Sequence, residues 1–339
     1  MRGLFIGAGQ FASIQLDAWS QVAGVEIVGV VNRTLPRAFE LAKRHGIPEV
    51  ATDLESSLAR LRPDFVDICT AVETHLALAT AAIRAGVPVL CQKPMAPTLE
   101  ESRELADLAG AAGVPVMIND NWRWQAWYRE IKRLLESGVI GRPLGCLVAL
   151  RTGDGAGPEP YAQQPYFRTM ERFLVFETGI HYLDTLRFLF GEVDRLSCLT
   201  RRLNPVIRGE DMAVITLEFA SGLTAVWDGN RVAAFPVVRS PFNGFMRLDG
   251  SEASLEVDCF GAMTLTPRGR APVPHTYPIP AGYRGGSTVA AQRHFVECLR
   301  TGTPFETSAS DYLKTMELVF AAYESAETGA SIGLPVLAP

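Results

Sequence analysis

Over the first 120 residues, short apolar runs alternate with amphipathic stretches of helical period. The runs at 4–6, 25–31, 65–69, 87–91 and 114–118 predict strands, and the stretches 11–22, 36–45, 54–61, 76–85 and 99–112 predict helices. Strands that are apolar throughout are covered on both faces, as in a parallel sheet with helical crossovers. Right-handed crossovers then wind helices onto both sides. After Asn121 the rhythm changes. A helix at 127–136 leads to a strand ending near residue 152, and a segment rich in Gly, Pro, Gln and Tyr at 153–172 predicts a long loop. Residues 173–190 have helical period. Stretches at 195–200, 213–219, 223–231, 245–248, 253–257 and 263–266 predict an open, mainly antiparallel sheet, followed by helices at 288–300 and 312–328. The expected fold class is α/β, with a doubly wound parallel-sheet domain over 1–121 and an α+β domain over 122–339. The final helix, about 311–328, is expected to pack near the first domain.

A length of 339 residues suits two domains better than one core. The formal net charge of -5 argues against nucleic acid as a partner, which needs a concentrated basic surface. No apolar stretch approaches the roughly 20 residues that cross a bilayer. The first strand is expected to begin at Gly3, so no targeting leader is expected. The cysteines (Cys69, Cys91, Cys146, Cys198, Cys259, Cys298) are scattered, without a CxxC pair or metal-ligand spacing. These features predict a cytoplasmic protein with reduced thiols, no metal and no membrane partner.

The first chemistry-bearing motif is the turn Gly7-Ala8-Gly9-Gln10-Phe11-Ala12, between a strand and a helix. The first glycine permits a tight turn, and the second lets the backbone approach a pyrophosphate seated on the helix N-terminus. Ala12 is small enough for helix–strand packing. This context predicts a Rossmann-type dinucleotide site. At the end of the second strand, where NAD-binding chains usually carry a carboxylate for the ribose, stand Asn32-Arg33-Thr34. The missing carboxylate and Arg33 favour NADP. Asn32 on the ribose hydroxyls, with Arg33 stacked on adenine, would suit NAD.

Two further segments end strands of the same sheet: Thr70-Ala71-Val72-Glu73-Thr74-His75 and Gln92-Lys93-Pro94. In open α/β sheets, ligands bind at these carboxyl ends. In the second half, Glu177, His181 and Asp184 are spaced i, i+4, i+7, which predicts one helix face. Histidine exchanges a proton near neutral pH, and a carboxylate one turn away can orient it. Oxidising an alcohol needs such a base, a hydride acceptor, and a cation near the developing alkoxide.

On these residues the chain resembles the Gfo/Idh/MocA family of nicotinamide-dependent sugar and polyol oxidoreductases. The matching pieces are Gly7-Ala8-Gly9, the Thr70 to His75 loop, Ala85-Gly86 and Gln92-Lys93-Pro94, where the family usually has Glu-Lys-Pro. Glu177 through Asp184 is similar to the family's acid-x-Gly-x-His-x-x-Asp helix, and the stretches 308–311 and 321–329 to its closing helix. The resemblance implies His181 as acid/base, Lys93 near the reacting oxygen and Glu177 completing the group. It implies Thr178 and Asp184 against substrate hydroxyls, and Thr70, Ala71, His75 and Gln92 near the cofactor, His75 as a loop-shaping residue. Gln92 removes a negative charge beside Lys93, and Glu177 is one methylene longer than the usual aspartate.

Arg123 and Trp124 at the domain junction, and Tyr166 in the 153–172 loop, are candidate substrate contacts, with packing between the domains the equal alternative for the tryptophans and the loop itself a candidate lid. The implied activity is hydride transfer between NAD(P) and a secondary hydroxyl or ketone of a sugar, sugar derivative or cyclitol. Two alternatives stand beside it: a non-catalytic sugar or nucleotide sensor, and a glycosidase-type enzyme that oxidises transiently and eliminates. The apolar strands at 214–217 and 223–227 predict a sheet face paired in a homodimer or homotetramer.

Overall fold

The computed structural model describes residues 1–236 and 240–334. Its first part alternates β1 (Arg2–Ile6), α1 (Ala12–Trp19), β2 (Glu26–Val31), α2 (Leu35–His45), β3 (Glu49–Ala51), α3 (Leu54–Leu61) and β4 (Phe65–Ile68). It continues with α4 (His75–Arg84), β5 (Val89–Gln92), α5 (Leu99–Ala112) and β6 (Val116–Asn119). All six strands run parallel in the order β3-β2-β1-β4-β5-β6. The winding reverses between β1 and β4, which puts a crevice at their carboxyl ends.

The second part holds α6 (Ala126–Glu136), β7 (Pro143–Arg151), α7 (Ile180–Phe190), β8 (Val193–Arg201), β9 (Met212–Phe219), β10 (Thr224–Asn230) and β11 (Gly244–Gly250). Then come β12 (Ala253–Val257), β13 (Met263–Pro267), β14 (Val273–His275), α8 (Ser287–Thr301), α9 (Ala309–Thr328) and β15 (Ile332–Gly333). A nine-stranded sheet runs β14-β13-β12-β11-β7-β10-β9-β8-β15, antiparallel except at β7–β10. The expected classes of both sheets are therefore found. The short strands β3, β14 and β15 escaped the pattern, being too brief for any periodicity.

The chain divides into two compact units: Met1–Trp124 with Gly286–Met316, and Gln125–Gly285 with everything from Glu317 on. The sequence pattern placed 122–339 in the second domain, with the final helix packing near the first; α8 and the start of α9 cluster with the parallel sheet. The reason lies in long-range packing. Phe295 of α8 stacks edge-on to Phe65 (5.3 Å) and packs with Trp19. Gln292 Nε2 donates to the Gln15 carbonyl (2.9 Å); the Ile118 N–H of β6 donates to Thr307 O (2.8 Å), and Thr307 Oγ1 donates to Ile118 O (2.7 Å).

In the second unit, Ile215, Leu217, Ala225 and Trp227 are all fully buried, and Tyr182 of α7 packs on Trp227 (5.5 Å). Val214, Thr216 and Val226 alternate to the opposite sheet face. The predicted apolar face at 214–217 and 223–227 is thus half core, because side chains in a strand alternate. Exposed apolar side chains nonetheless remain in this sheet at Leu147, Leu199 and Phe245.

Candidate active site

The turn after β1 contains two glycines under different constraints. Gly7 has φ +116°, and a Cβ there would lie 2.1 Å from the Cys69 carbonyl oxygen, so only glycine passes. Its N–H donates to Val31 O (2.8 Å), tying the turn to β2. A Cβ on Gly9 would meet no protein atom within 4 Å. Ala8 is half-buried, whereas Gln10 is exposed. Phe11, at the N-cap of α1, makes no side-chain cap, and the first turn carries no acidic residue. An anion there meets the positive end of α1 and no carboxylate.

The neighbouring strand ends carry polar groups without protein partners. Gln92 Nε2 and both amide atoms of Asn119, adjacent across β5 and β6, are buried and make no hydrogen bond within the protein. Buried amides left so are costly. The open space at Gly9 fits the close approach of a pyrophosphate to the turn. Asn119 was not picked out from the sequence, since a lone asparagine closing a strand carries no local signal.

After β2, Asn32 Nδ2 donates to Thr34 O (2.9 Å) and Thr34 Oγ1 (3.0 Å), while Arg33 is exposed. His75 is buried, with Nδ1 2.9 Å from Pro94 O and Nε2 3.2 Å from Thr70 O. Burial pushes its pKa below the usual histidine value, against the pull of those two carbonyls. The ring thus sits between the loop carrying Thr70 and exposed Ala71 and the turn carrying half-buried Lys93 and cis-Pro94.

Arg123 is buried: its guanidinium donates to Glu306 O (2.9 Å) and lies 3.7 Å from the Asp311 carboxylate. Trp124 belongs to the core of the first unit, 5.4 Å from the His294 ring. The aromatic run expected to face a sugar therefore serves packing at Trp124. Trp127 and Tyr128 likewise pack on Phe242 in the second unit.

In the second unit the predicted helix over 173–190 has two parts: a π-helical turn at Leu174–Gly179, then α7. Glu210 caps this turn. Its carboxylate accepts from the N–H groups of Phe173 and Val175 (3.0 Å) and from the Tyr323 hydroxyl (2.7 Å). Single π turns recur at functional sites because they re-aim side chains. Here the turn carries Glu177 and Thr178, while His181 and Asp184 lie on α7. Thr178, His181 and Asp184 are buried. A Cβ on Gly179 would stand 3.0 Å from the Trp227 ring, so the small residue lets the π turn lie close to β10.

A buried ion cluster flanks this turn. Arg231 donates to Asp154 through Nε (3.1 Å) and Nη2 (2.5 Å), and through Nη1 to Thr178 Oγ1 (3.1 Å). Burial lowers the Arg231 pKa, but Asp154 and Glu177 outweigh it and hold the guanidinium above its ordinary range. Asp154 belongs to the 153–172 segment. That segment is not a loose lid: Tyr161 and Phe167 form a small core with Phe173 and Ile207, and Asn204 Nδ2 donates to Gly155 O (2.7 Å). Tyr166 remains exposed. Asp154, Glu210 and Arg231 were missed because no local motif marks them.

A glycine turn at the switch point of this parallel sheet, with a Lys-Pro turn on the same edge, is the arrangement of a dinucleotide-binding domain. Residues 1–120 match the model of an oxidoreductase family with an NAD-binding Rossmann fold, and residues 128–256 match the GFO/IDH/MocA C-terminal domain. The chain belongs to the Gfo/Idh/MocA family and is a dehydrogenase or reductase. It is 35% identical to a D-apiose dehydrogenase of Paraburkholderia graminis, over 99% of this chain and 90% of that protein. It is 32% identical to a D-apiose dehydrogenase of Rhizobium rhizogenes, over 98% and 97% of the two chains. An oxidoreductase from Agrobacterium radiobacter, solved in complex with NAD+, L-tartaric acid and magnesium, superposes with TM-score 0.91 at 32% identity, covering 98% of each chain. Among the described residues, no helix is long and apolar enough to cross a membrane.

Proposed function

We propose that the protein is an NAD(P)-dependent sugar dehydrogenase, with D-apiose as its first candidate substrate. One observation carries the reading: a lysine at the ligand-binding edge of a dinucleotide fold occurs in the same chain as a Glu-Thr-x-x-His-x-x-Asp run on a π-to-α turn, its Thr, His and Asp buried and its Glu half-buried. The two D-apiose dehydrogenases align with nearly the whole chain, which supports the choice of substrate. A sensor has no chemical need for the lysine and histidine together, so the enzyme reading is preferred over the binding one.

A bound nicotinamide supplies the hydride acceptor. In this reading His181 takes the hydroxyl proton, and Glu177 orients the ring and offsets the charge it gains. The Lys93 ammonium steadies the negative charge developing on the substrate oxygen. Thr178 and Asp184 hold neighbouring hydroxyls. Gly7, Ala8, Gly9, Gln10 and Phe11 cradle the pyrophosphate, and Gln92 closes β5 further along the sheet edge, near the cofactor. No carboxylate stands at 32–34, and the first turn of α2 has none either, which supports acceptance of NADP as well as NAD.

The test is a panel of aldoses, D-apiose included, and cyclitols, followed by NAD+ and NADP+ reduction. The expected outcome is turnover of D-apiose with either dinucleotide. Turnover confined to cyclitols would overturn the substrate reading. Release of an aglycone with no net change in nicotinamide would favour the oxidation–elimination alternative.

A further inference from the structure

Arg231 stands just beyond β10 with its guanidinium buried, and a buried cation persists only when it is paired and hydrogen-bonded. Asp154 engages Nε and Nη2 in a two-pronged pair, the geometry that suits a planar guanidinium. Nη1 is left for Thr178 Oγ1 and lies 3.9 Å from Glu177 Oε2. Thr178 in turn donates to that same Glu177 oxygen (2.5 Å). The rings of Tyr161, Phe167 and Phe173 stand 5.0, 4.9 and 5.2 Å from Arg231 Cζ and leave the guanidinium little room to swing. The Arg231 backbone is fixed as well, its N–H donating to Asp211 O (3.0 Å) and its carbonyl accepting from Gly155 (2.9 Å).

Two carboxylates thus face one guanidinium. Asp154 pairs with two of its nitrogens, and Thr178 holds one oxygen of Glu177. We infer that Arg231 is a positioning residue that, through Thr178, fixes the Glu177 carboxylate for proton transfer at His181 and clamps the 153–172 segment to the same point. This assignment rests on the catalytic reading above. It also accounts for the longer side chain at 177: the added methylene brings an extra rotatable bond, and the Arg231–Thr178 relay removes that freedom.

The test combines Arg231→Lys, Glu177→Asp and the double variant, each assayed for kcat, sugar KM, NADH affinity by fluorescence and thermal melting. Arg231→Lys keeps the charge but loses the fork, and kcat should fall about tenfold with NADH affinity unchanged. Glu177→Asp withdraws the carboxylate from the relay, so the double variant should be no slower than Glu177→Asp alone. Thr178→Val leaves the buried ion pair intact and keeps the test decisive should Arg231→Lys not fold. It should lower kcat about tenfold, more than it raises sugar KM, and Thr178→Ser should recover most of the loss. Independent, multiplying effects of the 231 and 177 substitutions would overturn the assignment, as would full kcat in Thr178→Val. Full kcat in Glu177→Asp together with His181→Ala would instead overturn the catalytic reading itself.

Discussion

Replacing Gly9 by alanine puts a methyl group into space that no protein atom occupies, whereas at Gly7 the same methyl would strike the Cys69 carbonyl. Gly9→Ala should therefore melt within about 2 °C of the parent yet bind NADH at least about tenfold more weakly, by fluorescence titration. Unchanged affinity would remove the turn from the cofactor site. Asp67 makes a different prediction. It is fully buried in β4, where Trp19 Nε1 (2.6 Å) and Gln15 Nε2 (3.1 Å) donate to it. Burial raises its pKa to about 7 against those two bonds. The folded chain then holds a proton, between pH 3.8 and about 7, that the unfolded chain has released. Its contribution to stability is present at low pH and lost as pH rises through that window. Asp67→Asn should raise Tm more at about pH 8 than at about pH 5. Equal shifts at both would contradict a raised carboxyl pKa. The glycine turn and the Lys-Pro turn were legible because each is a run of adjacent residues whose backbone demands are local. Asp67, Asn119 and Arg231 gave no such signal, since each is defined by partners far away in sequence.

The amphipathic periods predicted most helices and strands to within a few residues, because burial of one face dominates their energetics. The π turn before α7 was not legible. It is capped by Glu210, 37 residues from Phe173, whose carboxylate accepts from N–H groups at the helix start that have no intrahelical partner. Glu210→Ala would leave these buried donors unsatisfied, each at about 1–3 kcal/mol. The expected result is a Tm lower by roughly 5–10 °C, with kcat reduced as the Glu177 turn relaxes. A variant with parental Tm and kcat would show the cap to be idle. The 153–172 segment teaches the converse. Its composition predicts a lid, but a buried ion pair and a small aromatic core, both invisible to composition, hold it in place.

At the scale of the whole chain, the parallel sheet followed from the βαβ rhythm, while the membership of α8 followed only from packing of Phe295 and Gln292 against α1 and β4. Leu147, Leu199 and Phe245 keep an apolar component on the antiparallel sheet, and we propose that a second copy covers it. Sedimentation equilibrium should give a mass at least twice 36.9 kDa. A monomer at micromolar concentration would rule this out. The catalytic reading is tested most directly by Lys93→Ala and His181→Ala, assayed side by side for NADH affinity and for turnover of D-apiose. Each is expected to bind NADH within about threefold of the parent and to lose at least about a hundredfold in kcat. Parental turnover in both variants would contradict it.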